Sequence, residues 1–177
     1  MSRPAAVPVL DRDICSHSHS HSPQTTCTAC VQACPHDVFS LSRQGIDLDA
    51  QACTGCGICV GLCPARALAQ EISPPPREGT SLILVCPRHP AAGEAPQLRL
   101  RCLHAYGLNA LAGWVLDGIR VIACASGDCT RCPDMPEDVS LPDSAARLAA
   151  LAEAHGLPAP LLAAASPTQL RHWVQQA

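Results

Sequence analysis

Two runs of cysteine constrain this chain more than any other feature. Residues 53 to 64 read CTGCGICVGLCP, and residues 27 to 35 read CTACVQACP. Moving the first run 29 residues along lays Cys27, Cys30, Cys34 and Pro35 on Cys56, Cys59, Cys63 and Pro64, so the block is an internal repeat. Closely spaced thiols on a tight loop converge on a compact inorganic core at small loop-closure cost, with a further thiol coming from elsewhere. Residues 53 to 64 match at every position the spacing in which the fourth Cys, followed by Pro, serves the neighbouring cluster. Between the copies, VFSLSRQGIDLD reads as two short strands around a Gly-containing turn.

On these motifs residues 13 to 70 resemble a bacterial two-cluster 4Fe-4S ferredoxin domain, which implies an α+β ferredoxin-like fold. The resemblance implies one cluster held by Cys53, Cys56 and Cys59 with Cys34, and another held by Cys27, Cys30 and Cys63. The latter set is one ligand short, because Gln24 stands where the family pattern has Cys. Cys15 is the expected replacement, since the eleven residues SHSHSHSPQTT between it and Cys27 form a loop that closes for little additional entropy. The alternatives are His21 or a neighbouring His, and a 3Fe-4S cluster. A pair of structural zinc sites requires neither the Cys-Pro endings nor the interleaved repeat. His17, His19 and His21 could bind a divalent metal or gate the first cluster by protonation, but read best as a solvated loop. Gly55, Gly57 and Gly61 either let backbone amides approach the cluster sulfurs or serve turn geometry alone.

All thirteen cysteines need an assignment, and compartment decides which. The opening MSRPAAVPVLDRDIC has no apolar signal core and no twin-arginine pair, so a cytoplasmic location is expected, where disulfides do not persist. No apolar run approaches the length of a membrane span. A net charge of −3 and four aromatic residues in all leave neither a basic field nor stacking platforms for nucleic acid.

The segment ISPPPREGTS carries three consecutive prolines that exclude helix and central strand. The expected organisation is a two-cluster domain over 1–72, a Pro-rich linker over 73–80 and a small α/β domain over 81–177 with a mainly parallel sheet. In that second domain SLILVC, QLRLRC, IRVIAC and APLLAA read as strands, and LNALAGWVLDG, DSAARLAALAEAHG and PTQLRHWVQQ as helices. Cys86, Cys102 and Cys124 are then expected at the carboxyl ends of strands, where open α/β sheets assemble sites.

VIACASGDCTRC, with Cys124 ending an apolar strand and Gly127-Asp128 before Cys129, is similar to the small delta subunit of methyl-viologen-reducing hydrogenases over about residues 81 to 133. The resemblance implies a 2Fe-2S cluster that relays electrons between a hydrogenase or formate dehydrogenase and a flavoprotein-type partner. The expected ligands are Cys86, Cys102, Cys124 and Cys129, with Cys132 as substitute. A zinc site and inert buried thiols are alternatives. So is thiol-disulfide exchange at the CxxC of Cys129 and Cys132, favoured by the neighbouring Arg131.

No residue set resembles a nucleotide loop, an acid-base pair or an activated serine. The expected function is that of an electron-transfer iron-sulfur protein or subunit serving a partner oxidoreductase. A cluster-containing thiol-disulfide reductase and a redox-sensing or assembly factor for a metalloenzyme are the alternatives.

Overall fold

The computed structural model describes residues 6–18, 27–42, 45–95, 98–135 and 140–176. In the first Cys-rich block, strand β1 (Val9–Leu10) leads to the short helix α1 (Ala29–Gln32), strands β2 (Phe39–Ser42) and β3 (Gly45–Leu48), helix α2 (Ile58–Leu62) and strand β4 (Leu68–Ala69). β1 pairs antiparallel with β4, and β2 with β3, so the two ends of the block close on each other around the repeat. Both helices follow their cysteine loops directly and pack together. Four or five residues are too few for a stable isolated helix. Their hold is the burial of Cys30, Val38, Phe39, Ile46, Cys59 and Leu68 in one cluster.

The second block forms a four-stranded sheet. Strand β5 (Arg77–Glu78) pairs antiparallel with β6 (Ser81–Val85), and β6 runs parallel to β7 (Val121–Ala125), which runs parallel to β8 (Leu161–Ala164). β5 falls inside the segment expected as a linker, at the sheet edge directly after the three prolines, where a strand tolerates them. Helices α3 (Pro90–Gly93), α4 (Leu108–Leu116), α5 (Leu141–Ala154) and α6 (Pro167–Gln176) complete the block.

β6 is buried almost throughout, and strand alternation divides its side chains between two faces. Leu82 and Leu84 join Ile122, Leu111 and Leu148 on the α4 and α5 side. Ile83 and Val85 join Ala123, Ala91 and Trp173 on the α3 and α6 side. The result is a mixed sheet with parallel strands between two helical layers.

One sequence expectation is corrected. QLRLRC is not a strand over its described residues 98–102; the chain takes an irregular path and enters a 3-10 turn at Leu103–Ala105. Its backbone bonds go elsewhere than to the sheet. The Arg99 carbonyl accepts from the Ser73 amide at 2.8 Å, and the Cys102 amide donates to the Cys56 carbonyl at 2.9 Å. Cys102 therefore reaches its place from outside the sheet, whereas Cys86 follows β6 and Cys124 lies near the end of β7. Among the described residues no helix is long and apolar enough to cross a membrane.

Candidate metal centres

The thiols gather around three cavities and one adjoining groove. The first is lined by Cys15, Cys27, Cys30 and Cys63, with Leu10, Ile46, Ala67 and Leu68 as apolar walls. Cys27 and Cys30 flank the start of α1, and Cys63 caps the end of α2 in an extended conformation before Pro64. Cys15 is 6% exposed and turned into this set. Gln24, His19 and His21 lie outside the described residues. His17 is described, and its buried Nδ1 has no partner.

The second cavity is lined by Cys34, Cys53, Cys56 and Cys59, walled by Val38, Phe39, Leu48 and Ile58. The interleaving follows from the short helices, because each carries its run's last Cys away from the thiols at its start and toward the other loop. Among the described residues no three His, Cys, Asp or Glu side chains close on a common point as a lone metal ion requires; the thiols line cavities instead.

The third cavity is lined by Cys86, Cys102 and Cys132 together with Cys56, Thr54, Arg88 and Asp134. Cys129 is close enough to Cys86 and Cys132 for their charges to act on it. Cys124 lines a neighbouring, more apolar groove with Cys129, His104, Leu103, Leu141 and Leu162. Arg131, expected to favour a thiolate in the CxxC, instead pairs with Asp128 at 2.8 Å and is largely exposed. The Cys129 thiol is pushed up by burial and by neighbouring Cys86 and Cys132, opposite to what disulfide exchange needs.

Burial dominates the electrostatics of these sets. It raises the thiol of Cys30 to about 11 and those of Cys59 and Cys102 to about 12, with neighbouring thiols adding to the rise. Buried sulfur of this kind ionises when a cation takes up its charge, and ligation releases the proton. Among the described residues, backbone amides already donate to cysteine sulfur, Ala67 to Cys63 Sγ at 3.2 Å and Arg88 to Cys86 Sγ at 3.4 Å. Four soft donors to each of the first two cavities, apolar walls and amide-to-sulfur hydrogen bonds fit an iron-sulfur cluster in each. Such a group would supply one-electron redox chemistry, with the four thiols of each cavity to hold it and apolar side chains around it.

Sequence reasoning missed the residues that join the sites. Asp134 accepts from His36 Nε2 at 2.7 Å, Thr54 Oγ1 at 2.9 Å, and Arg88 Nε and Nη2 at 3.0 and 2.7 Å. Burial works against its charge, but the hydrogen bonds from Arg88, His36 and Thr54 outweigh this and hold the carboxyl below its usual range. His36 and Asp134 are 98 positions apart, and nothing local in the sequence pairs them.

Two glycines owe their places to the same joint. Gly57 opens α2 at φ 79°, a left-handed conformation, with the Arg101 stem packed over it. Gly61 faces the Ala105 carbonyl so closely that a Cβ would stand 1.8 Å from its oxygen.

Residues 25–68 match the model of the 4Fe-4S dicluster domain. A pyruvate-flavodoxin oxidoreductase from Trichormus variabilis is 29% identical over 122 aligned residues, covering 54% of this chain. The chain spans 8% of the length of that relative. This chain therefore carries a 4Fe-4S dicluster domain over residues 25–68, and that domain supports an iron-sulfur electron-transfer role.

Proposed function

We propose that this protein is an electron carrier or electron-transfer subunit with two 4Fe-4S clusters, one held by Cys15, Cys27, Cys30 and Cys63 and the other by Cys34, Cys53, Cys56 and Cys59. A third centre, a 2Fe-2S cluster held by Cys86, Cys102, Cys129 and Cys132, extends the chain of sites into the C-terminal block. The observation that carries this reading is the shared wall: Cys56 lines both the second and the third cavity, and its carbonyl accepts the Cys102 amide. Centres so placed can exchange electrons without a mobile carrier. Cys132 replaces Cys124 in the ligand set because it shares a cavity with Cys86 and Cys102; Cys124 and Cys129 both line the adjoining groove, but only Cys129 lies close enough to Cys86 and Cys132 for their charges to act on it.

The partner is an oxidoreductase of the hydrogenase, formate dehydrogenase or flavoprotein type. The resemblance to a protein named for its flavodoxin supports a protein as electron acceptor. Two domains, 1–72 and 81–177, are joined by residues 73–80, of which β5 enters the sheet of the second.

Iron and acid-labile sulfide per chain after anaerobic purification, with electron paramagnetic resonance of the reduced protein, test the proposal. About ten iron with two 4Fe-4S signals and one 2Fe-2S signal are expected. About eight iron and no 2Fe-2S signal would remove the third centre; no 4Fe-4S signal after reconstitution would sink the whole reading.

A further inference from the structure

The loop that carries the second thiol set meets the C-terminal block at four successive points. Thr54 donates to Asp134, the Cys56 carbonyl accepts from Cys102, Gly57 lies under the Arg101 stem, and Gly61 abuts Ala105. Two of these four partners are charged, and their charges are opposite. Asp134 acts electrostatically on Cys56, and Arg101 on Cys59.

Neither charge is dispersed into water. The Asp134 side chain is 14% exposed, while its partner Arg88 is 48% exposed and so screened by solvent. Arg101 is half-buried, its Nε has no hydrogen-bond partner, and its guanidinium stacks over the Tyr106 ring at 5.6 Å. A buried fixed charge near a redox centre changes the cost of adding an electron, and net charge and hydrogen bonding are among the levers on cluster potential.

We propose that Asp134 and Arg101 are positioning residues through which the C-terminal block sets the reduction potential of the second cluster independently of the first, Asp134 lowering it and Arg101 raising it. The proposal rests on the two-cluster reading and requires nothing of the third centre. Asp134 also ties His36, just beyond Cys34, to Thr54, between Cys53 and Cys56, so the carboxylate fixes both loops that supply this set. A negative charge there favours the oxidised cluster. The Arg101 guanidinium, close enough to Cys59 for the two charges to interact, favours the reduced one, and Arg101→Met removes the charge while keeping a stem over Gly57.

The test is a potentiometric titration of the full chain, followed by electron paramagnetic resonance. Iron and sulfide content and two 4Fe-4S signals are established first in every variant; their absence from the wild-type protein would defeat the two-cluster reading itself, and this proposal with it. With Asp134→Asn the second cluster should titrate at a higher potential, with Arg101→Met at a lower one, and with Arg101→Lys at the wild-type value. The first cluster, identified by its loss in Cys15→Ser, should stay in place throughout. Loosening of the joint alone would shift the second cluster in the same direction in both charge-removing variants. That outcome, equal shifts of both clusters, no shift, or loss of the second cluster from either variant overturns the proposal.

Discussion

The carbonyl oxygen of Ala105 occupies the space in which Gly61 would otherwise carry a side chain, 1.8 Å from the position of its β-carbon. The neighbour is backbone, so it cannot yield by rotating a side chain. Gly61→Ala is expected to part α2 from the turn that follows Cys102, at a cost of about 1–3 kcal/mol, the range of overpacking in a filled interior. Gly113→Ala is the control, since that glycine lies inside α4 with open space around it and its replacement should stabilise by about 0.5–1 kcal/mol. Thermal unfolding under anaerobic conditions compares the two, and equal melting temperatures would contradict the contact.

Cys15 lines the first cavity from outside both repeats, so Cys15→Ser should lower the iron content by about four per chain and remove one of the two 4Fe-4S signals. Gln24→Ala should change neither, because an amide is a poor partner for iron beside thiolates. Full cluster content in Cys15→Ser would mean that a His or an open iron position completes the first set.

In the third cavity, Cys132→Ser should abolish the 2Fe-2S signal while Cys124→Ser leaves it. Visible absorption and electron paramagnetic resonance of reconstituted variants decide this. The reverse pattern would restore the ligand set expected from the sequence.

His104 accepts the Leu141 amide on Nδ1 at 3.1 Å, which only the neutral ring can do, and burial lowers its affinity for a proton. The folded state thus binds fewer protons here than the unfolded state. The stability from this contact is complete above the unfolded value near 6.5 and is lost as pH falls through that value toward the lowered folded one. Melting temperatures should therefore be level above about pH 7 and decline as pH falls from 6.5 downward in the wild-type protein. In His104→Asn, whose amide oxygen accepts without titrating, the decline should be shallower; identical slopes would remove His104 from the account.

The gathering of Cys27, Cys30 and Cys63 along one cavity and of Cys34, Cys53, Cys56 and Cys59 along another was legible in the sequence, because closely spaced thiols on tight loops converge and a spacing is a property of the chain. The parallel strands β6, β7 and β8 and helices α4, α5 and α6 were legible through periodicity of burial. QLRLRC misled for a physical reason: its apolar residues alternate as in a strand, but Leu98 and Leu100 pack beside α3 and Trp173 while the backbone bonds to Ser73 and Cys56.

What the sequence determined by itself is local: which cysteines share a loop, which segments are apolar on one face, and where prolines forbid regular structure. Only the tertiary structure decided that Cys132 shares a cavity with Cys86 and Cys102, that Gly61 must be bare for Ala105, and that Asp134 closes on His36 and Thr54. These relations join residues 30 to 98 positions apart, and such pairs meet through the summed burial of two packed blocks, which no spacing rule encodes.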